Sequence, residues 1–186
     1  MKRLSLYVLL LALLPANQLL AQEHEHADEQ EHMEHHDAAV KAIVPLHEMV
    51  KGYLIASAEQ MPEDLYDYKP NEEVRSFGQI IGHVANALYM FCGNATGEGG
   101  SPPDNFEERT TKAGLVEAIK MGFDACEAAY AMDDMTAMEE VEFFGNTGTR
   151  LWILNFNVTH NWEHYGNLVV YFRANGIVPP SSQGGM

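Results

Sequence analysis

His160 and His164 stand four residues apart in the run "THNWEHYG", residues 159–166. On an α-helix such residues differ by about 40° around the axis, so the two imidazoles share one face. The same face carries Ile153, Phe156, Asn157, Asn167 and Tyr171 and reads as the stripe turned toward a core. Imidazoles on such a stripe need partners, because an unpaired buried polar group costs about 1–3 kcal/mol. A divalent metal satisfies one nitrogen of each. Hydrogen-bonded core histidines would meet the same need, and spacing alone does not separate the two. A third ligand must come from another helix. His83 is suited, with Gln79, Ile80, Ala87 and Met90 around it on an expected inward face. Two histidines from one helix and one from another give the three protein ligands of a catalytic zinc site, with the fourth position open to water. Imidazole donors also accept nickel or iron. One such ion polarises a substrate oxygen and lowers the pKa of bound water toward 7. Asn86, Asn157, Asn161 and Glu163 are candidates to hold the imidazoles in one tautomer. Position 161 is Asn, so the run is not the HExxH of zinc proteases and lacks their general base. His47 falls on another apolar stripe, as a fourth ligand, a proton shuttle or a satisfied core histidine. With Glu163 it is the candidate for proton transfer. Tyr165 is expected to pack with its hydroxyl on a partner, and Gly166 to let a neighbouring helix approach closely.

These residues need helices to position them, and the periodicity supplies four. Val40, Ile43, His47, Val50, Leu54 and Ala58 form a 3.6-residue stripe, predicting a first helix over Asp37–Gln60. Ser76 can cap a second helix running through "FGQIIGHVANALYMFCGNAT". "GEGGSPPDN" is a loop. Thr110 or Thr111 caps a third helix, "KAGLVEAIKMGFDACEAAYAM". "DDMTAMEEVEFFGNTG" is a longer connection whose middle could make a short extended piece. The fourth helix, "TRLWILNFNVTHNWEHYGNLVVYFRAN", ends at Gly176, with Pro179 and Pro180 beyond it. No sheet is expected. The economical architecture is an all-α four-helix bundle over residues 38–186, and the connection lengths leave its topology open.

Residues 1–21 read as a secretory signal peptide. Lys2 and Arg3 precede an apolar run, Leu4 to Leu14, that is too short to span a bilayer. Residues 22–37, "QEHEHADEQEHMEHHD", hold seven acids, five histidines and no Lys or Arg. That composition predicts a disordered linker able to bind divalent metal loosely. Losing residues 1–21 removes two positive charges and takes the formal charge from −16 to −18. Such a surface repels nucleic acid and anionic lipid. It points to a small-molecule substrate or a metal as partner, in the periplasm or outside the cell. Cys92 and Cys126 permit one disulfide in an oxidising compartment, or serve as two small buried hydrophobes. A homodimer through a helical face is compatible with this architecture.

"SFGQIIGHVANALYMFCG" together with "THNWEHYGNLVVYFRANGIVPPSS" resembles the DinB-like family, the damage-inducible proteins distinct from the polymerase of similar name. The likeness covers about residues 38–182. It rests on the helix-two His in an apolar context, the HxxxHYG run and the "YFRANGIVPPS" ending. It implies a four-helix bundle with a three-His divalent metal site, at His83, His160 and His164. Relatives include thiol-dependent transferases and isomerases, and many members without a known reaction; most are taken to be cytoplasmic. An export signal and a His/Glu tail depart from that pattern. Reduced thiols are scarce outside the cytoplasm, so metal-dependent hydrolysis is expected ahead of thiol transfer. The alternatives are a non-catalytic metal-binding or stress-related protein, and a metal-free interaction bundle.

Overall fold

A computed structural model describes residues 38–184. The expected leader and His/Glu-rich linker lie outside the described residues. Four long helices dominate: α1 Ala38–Gln60, α2 Phe77–Thr96, α3 Lys112–Asp124 and, last in the chain, α6 Arg150–Ala174. Between α3 and α6 come the short helices α4 Glu127–Tyr130 and α5 Asp134–Ala137. An antiparallel hairpin of β1 Glu140–Phe143 with β2 Asn146–Thr149 follows them.

The helix starts follow the expected chemistry. The Ser76 hydroxyl accepts from the Gln79 amide while the Gln79 side chain accepts from the Ser76 amide, a reciprocal cap. The Thr111 and Thr149 hydroxyls cap α3 and α6 by accepting from the Gly114 and Trp152 amides. The start of α1 is held from a distance: the Ala39 and Val40 amides donate to the two Asp134 carboxylate oxygens at 2.8 and 3.0 Å. At the other end of the fold Gly176 adopts φ +70°, and the Ile177 amide returns to the Phe172 carbonyl to close α6.

Two expectations are corrected here. The third helix is not continuous to Met132. It ends at Asp124 and resumes at Glu127, because the Cys126 amide turns back to the Phe123 carbonyl. Cys126 itself is tied to Cys92 of α2 by a disulfide, with a Cα–Cα distance of 5.1 Å. The extended piece before α6 is a true hairpin, turning through Phe144 (φ 51°) and Gly145 (φ 73°). A two-stranded sheet therefore exists where none was expected.

The long helices occupy four corners. α2 packs against α3 and α6, and α1 packs against those same two, so α1 and α2 lie at opposite corners, as do α3 and α6. The connections after α1 and after α3 thus cross the bundle. The core between them is apolar and aromatic, built around Leu54, Phe77, Ile81, Leu88, Phe123, Ile153 and Phe172. All six residues of the predicted α1 stripe are buried in it, His47 included. Among the described residues no helix is long and apolar enough to cross a membrane.

Candidate metal centre

The site lies where α2 faces α6. His83 comes from α2; His160 and His164 come from successive turns of α6. The Nε2 atom of His160 lies 3.2 Å from His83 Nε2 and 3.1 Å from His164 Nε2. One ring nitrogen from each residue falls within 4.8 Å of the other two, and the three side chains could hold a metal ion.

Their surroundings are unequal. His83 is half-buried, and its Nδ1 sits 2.9 Å from Glu107 Oε1. A carboxylate only accepts, so Nδ1 carries the proton and Nε2 presents its lone pair inward. The Nδ1 atoms of both His160 and His164 are buried; that of His164 has no hydrogen-bond partner among the described residues, and His160 is met by the Asn161 side chain. Burial, and then the neighbouring imidazoles, hold His160 down to about 4 and His164 down to about 3. Both are therefore neutral near pH 7, which is the ligating form.

Proton arithmetic tests whether these residues fit an ion. His160 Nε2 faces two other Nε2 atoms but can carry at most one proton. If it donates to His83, it cannot also donate well to His164; if it donates to neither, lone pairs face each other at close to 3 Å. No tautomer choice satisfies all three rings. A cation between them satisfies three lone pairs at once. Tetrahedral zinc with nitrogen ligands at about 2.0–2.1 Å sets those ligands about 3.3 Å apart. The two short separations are close to that edge length, so the donor set fits.

Glu107 is the functional neighbour that sequence reasoning missed. It sits on a 3-10 turn, Phe106–Glu108, capped by the Asn105 side chain. Asn86 of α2 clamps that turn: its Nδ2 donates to Asn105 Oδ1 at 2.8 Å, and its Oδ1 accepts from the Phe106 amide at 3.0 Å. Gly82 is what lets the turn come so near. A Cβ there would lie 2.4 Å from the Phe106 carbonyl oxygen. Gly82 directly before His83 was the available signal that another backbone crosses α2 at this level.

The remaining predicted residues fall as follows. Asn157 does not hold an imidazole, whereas the Asn161 side chain hydrogen-bonds the His160 ring, as expected of it. The Asn161 amide donates to Asn157 Oδ1, and the Asn157 amide donates to the Tyr130 hydroxyl and reaches the Cys92 and Cys126 sulfurs. The two asparagines thus link the cluster to a buried polar layer around the disulfide. Gln79 is exposed and occupied in the cap of α2, not inward. Phe156 and Asn167 are exposed, so the α6 stripe is narrower than expected. His47 is buried among other groups, its ring stacked on Tyr130 at 3.7 Å and edge-on to Phe123. It is not part of the three-histidine cluster. Tyr165 packs on Tyr53, and its hydroxyl accepts from the Ser181 amide, as expected of it. Gly166 is a correction. It is exposed, and a Cβ built there meets nothing within 4 Å, so no helix approaches it.

Two clefts flank the cluster. One of about 440 Å³ is lined by His164, Glu163, Asn167, Arg75, Glu73 and Tyr171, among others. The other, of about 570 Å³, is lined by His83 with Ala87, Met90 and Pro102 and is largely apolar. The two clefts reach the cluster from different sides, at His164 and at His83, whose ring centroids are 4.8 Å apart.

An all-α bundle carrying three convergent imidazoles across two neighbouring helices defines the class. Residues 47–168 match the family model described as the DinB superfamily, and the chain belongs to that superfamily. It is 27% identical over 126 residues to the Bacillus subtilis protein described as uncharacterized protein YjoA, covering 64% of this chain and 79% of that one. The crystal structure of the DinB-like protein YjoA from that organism superposes with a TM-score of 0.57 at 20% identity, over 73% of this chain and 93% of that one. A DinB-like protein from Bacillus cereus ATCC 10987 superposes with a TM-score of 0.67 at 14% identity, over 78% and 97%. At these identities the two structures show a shared fold.

Proposed function

We propose that this protein is an exported metal-dependent hydrolase in which His83, His160 and His164 hold one divalent ion, zinc, nickel or iron. The observation that carries the reading is the meeting of three Nε2 atoms that no set of protons can satisfy. A bound ion would supply Lewis acidity and a nucleophilic water near neutral pH. The chain's own groups would do the rest. Glu163 lines the same cleft as His164 and is the candidate to accept a proton from the attacking water. His47, stacked on Tyr130, lines neither cleft, so the second candidate has no support from its position. The apolar cleft beside His83 would seat a hydrocarbon portion of a small substrate.

The buried Cys92–Cys126 disulfide supports the export part of the reading, because such bonds persist in oxidising compartments. The same compartment disfavours a thiol co-substrate. Elemental analysis of purified protein should find close to one tightly held ion, lost in His83→Ala, His160→Ala and His164→Ala. Equal metal in wild type and all three variants refutes the ligand assignment. A panel of small esters, amides and phosphoesters, with and without added thiol, tests the reaction. Turnover that requires thiol, or none at all from metal-loaded protein, overturns hydrolysis.

A further inference from the structure

We propose that Glu107 and Arg75 form a tautomer lock on His83, so that its Nε2 lone pair, not an Nε2 proton, faces the other two histidines. The proposal rests on the metal reading for its consequence but not for its mechanism. Glu107 Oε1 faces His83 Nδ1 at 2.9 Å, while Glu107 Oε2 accepts from Arg75 Nε at 3.1 Å. One carboxylate thus joins two groups and offers an acceptor oxygen to each: Arg75 can only donate, and His83 Nδ1 meets an oxygen only as the protonated nitrogen.

The surrounding structure is built to hold this carboxylate in place. Gly82 admits the turn, Asn86 clamps it, and Asn105 caps it, one residue before Phe106. On the other side, the Tyr171 hydroxyl of α6 donates to the Arg75 carbonyl and anchors the segment that carries the guanidinium. Glu107 is a positioning residue: it acts on the site through His83. His160 and His164 have no carboxylate counterpart: His160 meets the neutral Asn161 side chain, and His164 Nδ1 has no hydrogen-bond partner among the described residues. The lock therefore sits on the histidine that borders the open, apolar cleft.

The charge arrangement makes an unusual demand on a substitution. In Glu107→Gln the amide offers one acceptor and one donor. Arg75 can only donate, so it takes the amide oxygen. The NH₂ group then faces His83 Nδ1 and selects the tautomer protonated on Nε2, which cannot ligate. The isosteric change should weaken zinc binding about 10–100-fold, the range seen when the hydrogen-bond partner of a ligating histidine is lost. Removing Arg75 as well frees the Gln oxygen to turn to His83. Arg75→Met in the Glu107→Gln background should therefore recover affinity several-fold, a coupling of a sign that simple loss of an ion pair does not produce.

Two readouts separate the lock from the metal reading. Long-range proton–nitrogen correlation spectra of zinc-free protein report which His83 nitrogen carries the proton. The expected result is Nδ1 in wild type and Nε2 in Glu107→Gln. Zinc affinity is measured in parallel by competition with a chromophoric chelator, and melting of the zinc-free proteins monitors the fold. His83 protonated on Nε2 in wild type, or zinc affinity in Glu107→Gln within twofold of wild type, overturns the lock. So does a Glu107→Gln loss that Arg75→Met deepens and that tracks a lower melting point, because Glu107 then serves only as an anchor for its turn. A wild type that binds none of zinc, nickel or iron but shows the expected His83 tautomers overturns the metal reading and leaves the lock standing.

Discussion

Breaking the Cys92–Cys126 disulfide should lower stability without unfolding the protein. The bond closes a loop of sequence separation 34. The chain-entropy relation gives about 3.8 kcal/mol for a loop of that size. Both cysteines are fully buried in the main core, so native packing need not move when the bond is lost. The Asn157 amide, which reaches both sulfurs, keeps its bond to the Tyr130 hydroxyl. One of its two N–H groups thus stays paired and only a weak sulfur contact is lost, so the loop term should dominate. In a domain of this size each kcal/mol moves the melting temperature by about 2–4 °C, so the expected drop is about 8–15 °C. The perturbation is the double change Cys92→Ala and Cys126→Ala, with reduced wild type as a second arm. Alanine avoids placing a hydroxyl in an apolar site. Calorimetry at neutral pH with metal removed reads the shift without the added stabilisation of a bound ligand. A drop under about 2 °C in both arms would refute the reasoning, since the unfolded chain would then have gained little freedom from the cut.

Two further outcomes are expected. His47 is held down to about 4, by burial first and then by Lys51, against a usual value near 6.5. The folded protein therefore binds fewer protons than the unfolded chain between those values, and stability is full above pH 6.5 and lost as pH falls toward 4. His47→Phe, which keeps a ring against Tyr130, should flatten urea-unfolding stability between pH 7 and pH 4.5 by about 2.5 kcal/mol relative to wild type; parallel profiles for the two proteins would contradict this. Gly166→Ala should stabilise by about 0.5–1 kcal/mol, because the position is helical, exposed and empty for 4 Å around a Cβ. A destabilised Gly166→Ala in thermal melts would restore the close-approach role that the structure removes.

The helical stripes, caps and histidine pair were readable because they are local. A 3.6-residue period places His160 over His164, and a Ser or Thr before an apolar run starts a helix, whatever the rest of the chain does. The components of the site that depend on chain crossings were not readable. Glu107 lies 24 residues from His83 in a loop with no periodicity, and only the tertiary path of that loop brings it to Nδ1. Asn157 looked like a neighbour of the imidazoles because spacing gives a face but not what lies opposite it. Opposite it lies the disulfide, while Asn161 does meet His160. The same limit misled the reading of Gly166, since glycine beside a ligand pair suggests close approach, while its place on the solvent side of α6 depends on how the helix is rolled. The α3 break falls where Cys126 meets Cys92, a contact that helix propensity does not contain.

The corner arrangement of the helices also bears on the order in which the chain can assemble. α2 and α3 are the consecutive long helices that pack side by side; α1 must wait for α3 and α6, and α6 closes on partners made much earlier. Closing the short α2–α3 hairpin carries the smallest chain-ordering cost, and longer closures follow more slowly. Cys92 and Cys126 join that same hairpin, so the covalent bond can form on a half-made bundle before the last helix arrives. The histidine cluster, which needs α6, is the last part of the molecule to exist.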